Sequence, residues 1–391
     1  MRRRAVLCSI GATGLAGCVG SYWSESSRSS DDADPIEGVL DDFEELSRWR
    51  TIGGTLSADE ETYLGGSQAA RLEAGTSDER AGIGRQFDQP IDLSDRTLSL
   101  AVRADDLIYP WIQLVDDDGN RMDLRTSVRG NFPFKQYDFG VESVTGSVDL
   151  TAITDLRIIE YVGESERTIW CDSLRVVDRP DTGAVMIQFD DGNVTDHTQA
   201  RPILEQYGYQ AVTFVNPGTI GTDGHLTLEQ VSELHDAGWT VGSHSYDHVS
   251  LPAQDVSTQE DQIRESKEWL LDHGFEDGAE YFAYPYTDYD ETTCSLVDEY
   301  YTLGFAGGFP AGGNVTNPLE LHRLGDLNAA DARDAIDAAV QWNGITQLFF
   351  HWLGGETLAE FEQTIEYLHE REQAGELDVI SPAELEAAYM V

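Results

Sequence analysis

Two short segments of this sequence carry side chains that could bind a metal ion and move a proton. Asp190 and Asp191 close the apolar run Ala184–Phe189, which predicts a buried strand. His244 and His248 follow a second short strand-like run. Two histidines and one carboxylate form a ligand set for a divalent metal that keeps open positions for water. The other aspartate would lie beside that water and accept its proton, so the pair of segments predicts a metal-dependent hydrolase.

Each of these segments also has a plainer interpretation when it is considered alone. An Asp-Asp-Gly sequence is common in solvated turns, and a His-x-x-x-His spacing is common on the surface of a helix. Both segments lie at predicted strand ends, however, and His351 follows a third apolar run, Ile345–Phe350. Their joint occurrence favours one shared hydrolytic site over three unrelated surface features.

The elements that must position these residues alternate between strand and helix from residue 184 to residue 391. Strands that alternate with helices predict a parallel sheet, and about seven such strands predict a deformed (β/α) barrel. Chemistry in such barrels lies at the carboxyl ends of the strands. The aspartate pair, His244 and His351 all follow predicted strands, which supports their meeting at one end of the barrel.

The preceding region, residues 38–178, has a different rhythm. Short runs such as Thr97–Val102 and Trp111–Val115 alternate between apolar and polar residues, and Gly- and Asp-rich turns separate them. This pattern predicts an all-β sandwich of the jelly-roll type. It is similar to the galactose-binding-like sandwiches that accompany secreted carbohydrate enzymes, which implies a carbohydrate-binding module.

Two features of the predicted sandwich have both a binding and a structural interpretation. The acidic turn Asp116–Asp118 either binds Ca²⁺ or forms a solvated hairpin tip. Four aromatic side chains either stack on sugar rings or pack in the core. These four residues are Trp111, Phe132, Phe134 and Tyr137.

The composition excludes some partners and indicates a habitat. The 391 residues contain 72 acidic and 25 basic residues, which gives a formal net charge of −47. Nucleic acid requires a basic surface, so we expect no nucleic-acid partner. The only lysines are Lys135 and Lys267, yet the chain is rich in aromatic residues. An acidic, lysine-poor chain with material for a core is typical of an extreme halophile, in which salt screens self-repulsion.

The first 37 residues predict export and a lipid anchor. Arginines 2 to 4 precede an apolar stretch that is too short to span a bilayer, which is typical of a signal peptide of the twin-arginine type. The sequence Leu15–Cys18 is similar to a lipobox, in which Cys18 is lipidated after cleavage; an ordinary signal peptide is the alternative. Residues 19–37 predict a flexible acidic and Ser-rich tether. We therefore expect a cell-surface lipoprotein whose membrane contact is limited to Cys18.

Residues 184–391 resemble the polysaccharide deacetylases of carbohydrate esterase family four. The resemblance begins with the Asp-Asp-Gly segment, where Asp190 matches the general base of the family and Asp191 matches a metal ligand. It continues with His-Ser-x-x-His, where His244 and His248 match the other two ligands. His351 matches the general acid, and Phe349 replaces a more usual Leu. The resemblance implies a (β/α) barrel, one divalent metal and an acetylated polysaccharide as substrate.

One further family pattern is changed, and another is not recognisable. The segment Phe282–Thr287 has Ala283 where the family has an Arg that holds the catalytic carboxylate. It retains the aromatic-Pro-aromatic core, Tyr284-Pro285-Tyr286, which implies substrate contacts and an oxyanion contact from the backbone N–H of Tyr286. The family pattern Asp-Asp-Trp is not recognisable. We hypothesise that Arg323 reaches the site from another strand end and replaces the missing Arg; a structural or surface role is the alternative.

The resemblance implies hydrolysis of an N-acetyl group, with acetate and a free amine as products. Zn²⁺ is the expected metal, and Mn²⁺, Co²⁺ or Fe²⁺ would also suit the ligand set. One alternative is an O-acetyl esterase or another amidase on the same barrel. A second is a non-catalytic glycan-binding protein, and a third is a non-haem iron oxygenase, which also uses two histidines and a carboxylate.

The remaining histidines and cysteines have simpler expected roles. Surface or structural roles are expected for six histidines, because none has a partner at ligand spacing. These are His197, His225, His235, His273, His322 and His369. Cys171 and Cys294 are expected to be buried thiols. Trp352 and Tyr289, together with Tyr284, have positions in the pattern that suit the lining of a sugar cleft.

Overall fold

The computed structural model describes residues 38–308 and 312–391. The predicted signal segment, the lipobox at Cys18 and the tether over residues 19–37 lie outside the described residues. The described residues all fall in one unit of contacts that begins at Pro35. No helix among them is both long enough and apolar enough to span a membrane.

Residues 38–178 form two antiparallel sheets. The first has the strand order β3-β4-β12-β6-β9, with β1 also paired to β12, and the second has the order β10-β8-β7-β11-β5-β2. The strands are β1 (Gly38–Asp41), β2 (Arg50–Gly53), β3 (Thr55–Asp59), β4 (Ala69–Ala74), β5 (Arg80–Ile91), β6 (Arg96–Ala104), β7 (Trp111–Asp116), β8 (Arg121–Arg125), β9 (Lys135–Asp138), β10 (Gly140–Thr145), β11 (Ile153–Tyr161) and β12 (Arg167–Asp178).

The two antiparallel sheets share one hydrophobic core. Leu72 and Leu100 from the first sheet belong to the same buried cluster as Ile83, Ile112 and Ile158 from the second. A sheet buries one face because alternate residues of each strand point to opposite sides. The alternating pattern of the sequence therefore accounts for two facing sheets. The jelly-roll connection and the similarity to galactose-binding-like modules stay predictions.

The chain from residue 183 onward alternates between strands and helices, as the sequence predicts. The strands are β13 (Gly183–Phe189), β14 (Val212–Val215), β15 (Thr240–Ser243), β16 (Tyr281–Ala283), β17 (Leu303–Phe305), β18 (Leu324–Gly325), β19 (Ile345–Phe350) and β20 (Leu377–Val379). The helices are α1 (Arg201–Tyr207), α2 (Leu228–Asp236), α3 (Val256–Asp272), α4 (Glu291–Tyr300), α5 (Ala329–Trp342), α6 (Glu356–Gln373) and α7 (Pro382–Tyr389).

These strands form one curled parallel sheet with the order β17-β16-β15-β14-β13-β19-β18. β20 pairs with the first residues of β13, and β14 pairs with its last residues. Near the two edges of the sheet, Phe305 at the end of β17 bridges to Leu321, and β18 begins at Leu324. The sheet is therefore a curled half-barrel whose edges are joined by the segment 319–323, and it agrees with the (β/α) barrel that the sequence predicts.

The central strand β13 is buried on both faces, which explains its continuous apolar sequence. Val185 and Ile187 pack on the side of the sheet that the helices cover, with core residues of α1, α2 and α6. Ala184 and Met186 pack on the other side, against residues such as Phe214. The side chains of even-numbered residues thus point into the half-barrel, and this alternation decides where the following aspartate points.

Candidate active site

Asp190 continues the inward-facing row of β13. It follows Met186 and Gln188 on the inner side, and it is 2% exposed. Its backbone N–H donates to the carbonyl of Phe350 at the end of β19 (2.9 Å), so the pairing of the two strands extends to the site. The inner face of the sheet therefore places one carboxylate inside the half-barrel, at the carboxyl end of its central strand.

Asp191 leaves the strand and turns its carboxylate toward two histidines. Its φ of 73° lies in the left-handed region, and the chain then turns at Gly192 (φ 61°). Asp191 Oδ1 lies 3.2 Å from His248 Nε2 and 3.6 Å from His244 Nε2. The three side chains offer ligand atoms within 4.8 Å of one another, and they are the only such group of His, Cys, Asp or Glu among residues 38–308 and 312–391.

The tautomer and position of His244 are fixed by backbone carbonyls. Its Nδ1 donates to the carbonyl oxygen of Ala283 (2.7 Å), which leaves Nε2 as the atom that faces Asp191. Asn216 Nδ2 donates to the carbonyls of His244 and Ser245, which hold the turn after β15. Burial lowers the pKa of His244 to about 4, so its ring is neutral at neutral pH and can act as a ligand.

Arg323 holds Asp190 from the other side of the half-barrel. Its two terminal nitrogens donate to Asp190 Oδ1 (2.8 Å) and Oδ2 (2.7 Å), which is a bidentate pair. The Arg323 side chain has no exposed surface, and its Nε donates to the carbonyl of Ala306 (2.9 Å). Burial acts to raise the pKa of Asp190, but the charge of Arg323 and then that of His244 outweigh it, so that the pKa lies below its usual value.

We hypothesised that Arg323 replaces the arginine that the family has at position 283, and this hypothesis requires the observed contact between Arg323 and Asp190. Ala283 has no side chain that could reach the carboxylate, and the guanidinium arrives instead from the segment that precedes β18. The ring of Phe349 lies 4.2 Å from the Arg323 guanidinium carbon and packs against its face. The larger ring at position 349 therefore forms part of the pocket for the relocated arginine.

His351 lies at the end of β19 and has a carboxylate partner that the sequence did not indicate. Its Nδ1 lies 2.6 Å from Asp326 Oδ2, and its backbone N–H donates to Asp326 Oδ1 (3.1 Å). The hydrogen bond with Asp326 raises the pKa of His351, and the charges of Asp190 and Asp191 act in the same direction. Asp326 follows a strand of only two residues, which is too short to leave a pattern in the sequence.

A second acidic residue near the site was also missed. Asp196 lies in a short π-helical turn after the Asp-Asp-Gly segment and is completely buried. Thr213 donates its hydroxyl to one carboxyl oxygen (2.9 Å), and the other has no partner. Burial raises the pKa of Asp196 well above its usual value, and the charges of Asp190 and Asp191 add to this effect. Burial therefore favours the protonated form of Asp196.

Of the three aromatic and proline positions predicted to contact substrate, only Tyr286 is exposed. Its side chain is 63% exposed, its ring lies edge-on to His248 at 4.4 Å, and its φ is 59°. The assignment of Tyr284 and Pro285 to substrate contacts is wrong, because both are buried beneath this turn. Tyr284 donates its hydroxyl to the carbonyl of Leu319 (3.0 Å) and packs on Tyr289 (ring centroids 4.5 Å apart), so neither tyrosine lines a cleft.

Other residues that the sequence singled out are also divided between exposed and buried positions. Trp352 is 52% exposed and remains available to a ligand. Phe132 and Tyr137 are buried, which removes them as sugar-stacking residues, whereas Trp111 and Phe134 are partly exposed. The Asp116 carboxylate accepts hydrogen bonds from Asn120 and Asp149, as expected for a hairpin tip. Cys171 and Cys294 are free, buried thiols, as predicted.

The six histidines expected to be structural lie outside the group of three ligand residues. Most contact their own helix or loop; for example, His273 Nδ1 lies 2.7 Å from the carbonyl of Trp269. His322 differs, because it contacts Ser127 of the antiparallel sheets (3.2 Å) and stands next to Arg323. This contact fits the structural role that we expected for His322, and it lies next to a residue of the candidate site.

Part of the chain is similar to known proteins. Residues 178–302 match the polysaccharide deacetylase family. A protein of Bacillus subtilis (strain 168) named "Putative polysaccharide deacetylase YxkH" is 31% identical over 147 residues, which is 37% of this chain and 52% of that protein. The chain thus spans about half the length of this curated relative. The matched region includes both aspartates and both ligand histidines, whereas Arg323, Asp326 and His351 lie beyond it.

Two solved structures are similar to parts of the chain. The Streptococcus pyogenes deacetylase PplD in complex with acetate is 26% identical and covers 36% of this chain and 62% of its own, with a TM-score of 0.33. A family 4 carbohydrate esterase from Streptomyces lividans in complex with acetate is 21% identical and covers 51% of this chain and 94% of its own, with a TM-score of 0.36. The match over residues 178–302 supports the assignment of this region to the polysaccharide deacetylase family.

Proposed function

We propose that this chain is a metal-dependent hydrolase that removes N-acetyl groups from a polysaccharide or surface glycan and releases acetate. The observation that carries the proposal is the arrangement of Asp191, His244 and His248 around one point, directly beside a buried carboxylate that Arg323 holds in a bidentate pair. A protein that only binds glycans has no use for a buried base whose charge is maintained in this way.

The three ligand residues fit a divalent metal. Asp191 Oδ1 is buried and has no hydrogen-bond partner, although such an atom normally finds one. The Nε2 atoms of both histidines lie within 3.6 Å of it, and His244 is neutral. A bound metal supplies a Lewis acid for the carbonyl oxygen and lowers the pKa of a water molecule. Zn²⁺ suits this donor set best, and Mn²⁺, Co²⁺ and Fe²⁺ are the alternatives.

The residues of the chain then divide the proton transfers between them. Asp190 stays ionised because Arg323 pairs with both of its oxygens, so it can accept the proton of the attacking water. The backbone N–H of Tyr286 donates to the acetyl oxygen as negative charge develops there. His351, whose pKa the hydrogen bond with Asp326 raises, donates its proton to the leaving group.

The pairing of His351 with Asp326 favours an amide over an ester as the substrate. An amine is a poor leaving group unless it is protonated as the bond breaks, whereas an alkoxide of a sugar leaves more readily. The hydrogen bond with Asp326 raises the pKa of His351 and so favours the form that can donate this proton. For this reason we propose N-deacetylation, with the O-acetyl ester as the alternative substrate.

The direct test is acetate release from N-acetylglucosamine polymers in high salt. The parent should release acetate, a chelator should abolish release, and added Zn²⁺ should restore it. Asp190→Asn should lower the rate by about 100-fold or more while the protein still binds metal, because only the base is lost. Release of acetate from O-acetylated polymers alone would reassign the substrate, and equal rates for parent and Asp190→Asn would contradict the mechanism.

The cellular setting is proposed from residues 1–37 and from the composition alone. An exported lipoprotein anchored through Cys18, in an extreme halophile, would meet an exopolysaccharide or a surface glycan rather than an intracellular sugar. Mass spectrometry of the protein purified from its own membranes would test this, because a lipidated N-terminal Cys18 is expected. A mature N-terminus at any other residue would contradict the anchor.

A further inference from the structure

The segment that joins β8 to β9 leaves the antiparallel sheets and packs against β16 and the helices α3 and α4, on the helix-covered side of the parallel sheet. We call residues 126–135 the docking segment. Phe132 in this segment is 4% exposed and belongs to the buried cluster that contains Phe282, Tyr284 and Tyr289 of the other half. Its ring lies edge-on to Tyr289, with centroids 6.0 Å apart. The docking segment is thus a packed part of the core beneath the proposed oxyanion turn.

Arg129 of the docking segment contacts that turn directly. One terminal nitrogen donates to the carbonyl oxygen of Thr287 (2.5 Å), and the other lies 3.5 Å from Asp288 Oδ1. The guanidinium carbon lies 4.3 Å from the ring centroid of Tyr289, within the range of a cation–π contact. Three successive residues of the turn, residues 287–289, are therefore in contact with a single side chain from the antiparallel sheets.

The turn needs such support because its backbone is strained. Tyr286 has a φ of 59° and Thr287 has a φ of 52°, a conformation that is unusual for residues other than glycine and worst for a β-branched one. Such a residue persists only where the surroundings hold it. Arg129 binds the backbone carbonyl of Thr287, the second residue of this strained pair. A bond at this point opposes relaxation of the turn.

The docking segment also contacts the segment that carries Arg323. Lys135, one of the two lysines in the chain, pairs with Glu320 (2.5 Å), and Glu320 also accepts the hydroxyl of Tyr289 (3.0 Å). Ser127 contacts the His322 ring (3.2 Å), and Arg323 is the next residue. The docking segment thus contacts both the turn of Tyr286 and the segment of the relocated arginine.

We propose that Arg129 is a positioning residue that holds the Tyr286–Thr287 turn in its active geometry, so that the N-terminal sheets are a working part of the active site. The residue does not touch the substrate. The effect on rate rests on the function proposed above, because the Tyr286 N–H stabilises charge only as the reaction proceeds. The effect on the turn itself can be measured without any substrate.

The kinetic test compares Arg129→Ala with the parent. A displacement of a catalytic donor by about 1 Å can cost up to about 100-fold in rate, so we expect kcat to fall by about tenfold or more. KM should stay nearly constant, because the lost interaction forms only in the transition state. Arg129→Lys keeps the charge and can still donate one hydrogen bond, but it loses the planar guanidinium with its paired donors. It should therefore recover part of kcat. Zn²⁺ affinity should not change, because no metal ligand lies on the turn.

Arg179→Ala is the matched control. Arg179 directly follows β12, and it donates to the carbonyl of Trp342 in the C-terminal half (2.8 Å) and to the carbonyl of Arg96 in the N-terminal half (2.8 Å). Trp342 ends α5, before the amino end of β19, whereas the site lies at the carboxyl ends of the strands. This variant loses an equivalent bond between the two halves, so it should lower stability and leave kcat unchanged. A kcat for Arg129→Ala equal to that of Arg179→Ala would overturn the proposal.

Hydrogen exchange separates this proposal from the proposed function. In Arg129→Ala the amides of residues 286–289 should exchange at least about fivefold faster than in Arg179→Ala, with residues 244–248 unchanged, because only this turn loses a bond. Exchange that is the same in both variants would overturn the proposal, whatever the activity. If the parent releases no acetate from any substrate, the proposed function fails, but faster exchange at this turn still supports the positioning role.

Discussion

The active site has an inner and an outer side, which hold their carboxylates in opposite ways. On the inner side, Asp190 and Arg323 are 2% exposed or less, and the pair is bidentate. On the outer side, the side chains of Asp326 and His351 are 54% and 38% exposed and share a single side-chain hydrogen bond. On the inner side, Arg323 keeps Asp190 ionised. On the outer side, Asp326 raises the pKa of His351, and solvent and salt can still change that pKa.

The difference follows from the positions of the pairs in the sheet. Asp190 continues the inward row of a strand that is buried on both faces, so its charge must be compensated within the protein. Asp326 and His351 follow β18, the last strand in the order of the sheet, and its neighbour β19, and both side chains are partly exposed to solvent. The proposed general base therefore has a fixed charge, and the proposed general acid can exchange its proton with solvent.

The largest effect is expected from breaking the inner pair with Arg323→Ala. Removal of one partner leaves a buried charge uncompensated, which typically costs about 3–5 kcal/mol in unfolding free energy. The pKa of Asp190 should rise, because the charge that lowers it is gone, and kcat should fall on the order of a thousandfold as the base is lost. Urea unfolding, acetate release and zinc content measure the three quantities.

Arg264→Ala provides the comparison for a paired arginine on the surface. Arg264 pairs with Asp261 and Glu268 on the exposed side of α3. Exposed pairs contribute about 0–1 kcal/mol, so this variant should be nearly as stable and as active as the parent. If Arg323→Ala were equally mild, the inner pair would have no special role, and Arg323 would not replace the missing arginine of the family.

The second effect in size is expected from His351→Gln on the outer side. Loss of a general acid typically lowers a rate by about 100-fold or more. Because His351 is partly exposed, stability should change by no more than about 1 kcal/mol, in contrast to the inner variant. Activity on an ester with a good leaving group should fall much less than activity on the N-acetyl substrate. Equal losses on both substrates would contradict the role of His351 as the acid.

A smaller and more specific effect is expected from Asp326→Asn. His351 must be protonated to donate, so activity should fall as pH rises through its pKa. The hydrogen bond with Asp326 raises that pKa, and its loss should move the alkaline limb of the pH–rate profile to lower pH. At neutral pH we expect kcat to fall by about tenfold. A limb that stays in place would show that Asp326 does not act through His351.

The sequence alone predicted the positions of the site residues that follow regular strands. It did not predict the positions of residues that depend on packing between distant parts of the chain. Asp190 and His244 follow strands whose apolar runs are visible, so the alternation of the sheet places them, whereas Asp191 reaches the site through the turn that follows β13. Asp326 follows a strand of two residues, which has no period to detect. Tyr284 and Tyr289 were misassigned because their burial depends in part on Phe132, a residue of the other half. Local patterns contain no information about such a distant partner.

The same limit applies to the fold. The change from alternating runs to strand–helix units predicted both kinds of sheet, because each periodicity is a local property. The docking segment was not predicted, because its burial requires the second half to be present. We predicted that Arg323 contacts Asp190 because Ala283 stands where the family has an arginine. The structure contains this contact.

The smallest effect concerns salt and separates the two sides most cleanly. Raising the salt concentration from about 0.1 M to about 1 M shortens the screening length from about 10 Å to about 3 Å. The formal charge of −47 should be screened, so the free energy of unfolding should rise. The pKa of His351 should fall, because its acidic neighbours are screened, and the limb should move further in the parent than in Asp326→Asn. The activity defect of Arg323→Ala should not change with salt, since Asp190 is buried and ions do not reach it. A defect that salt relieves would place Asp190 in contact with solvent and remove the distinction between the two sides.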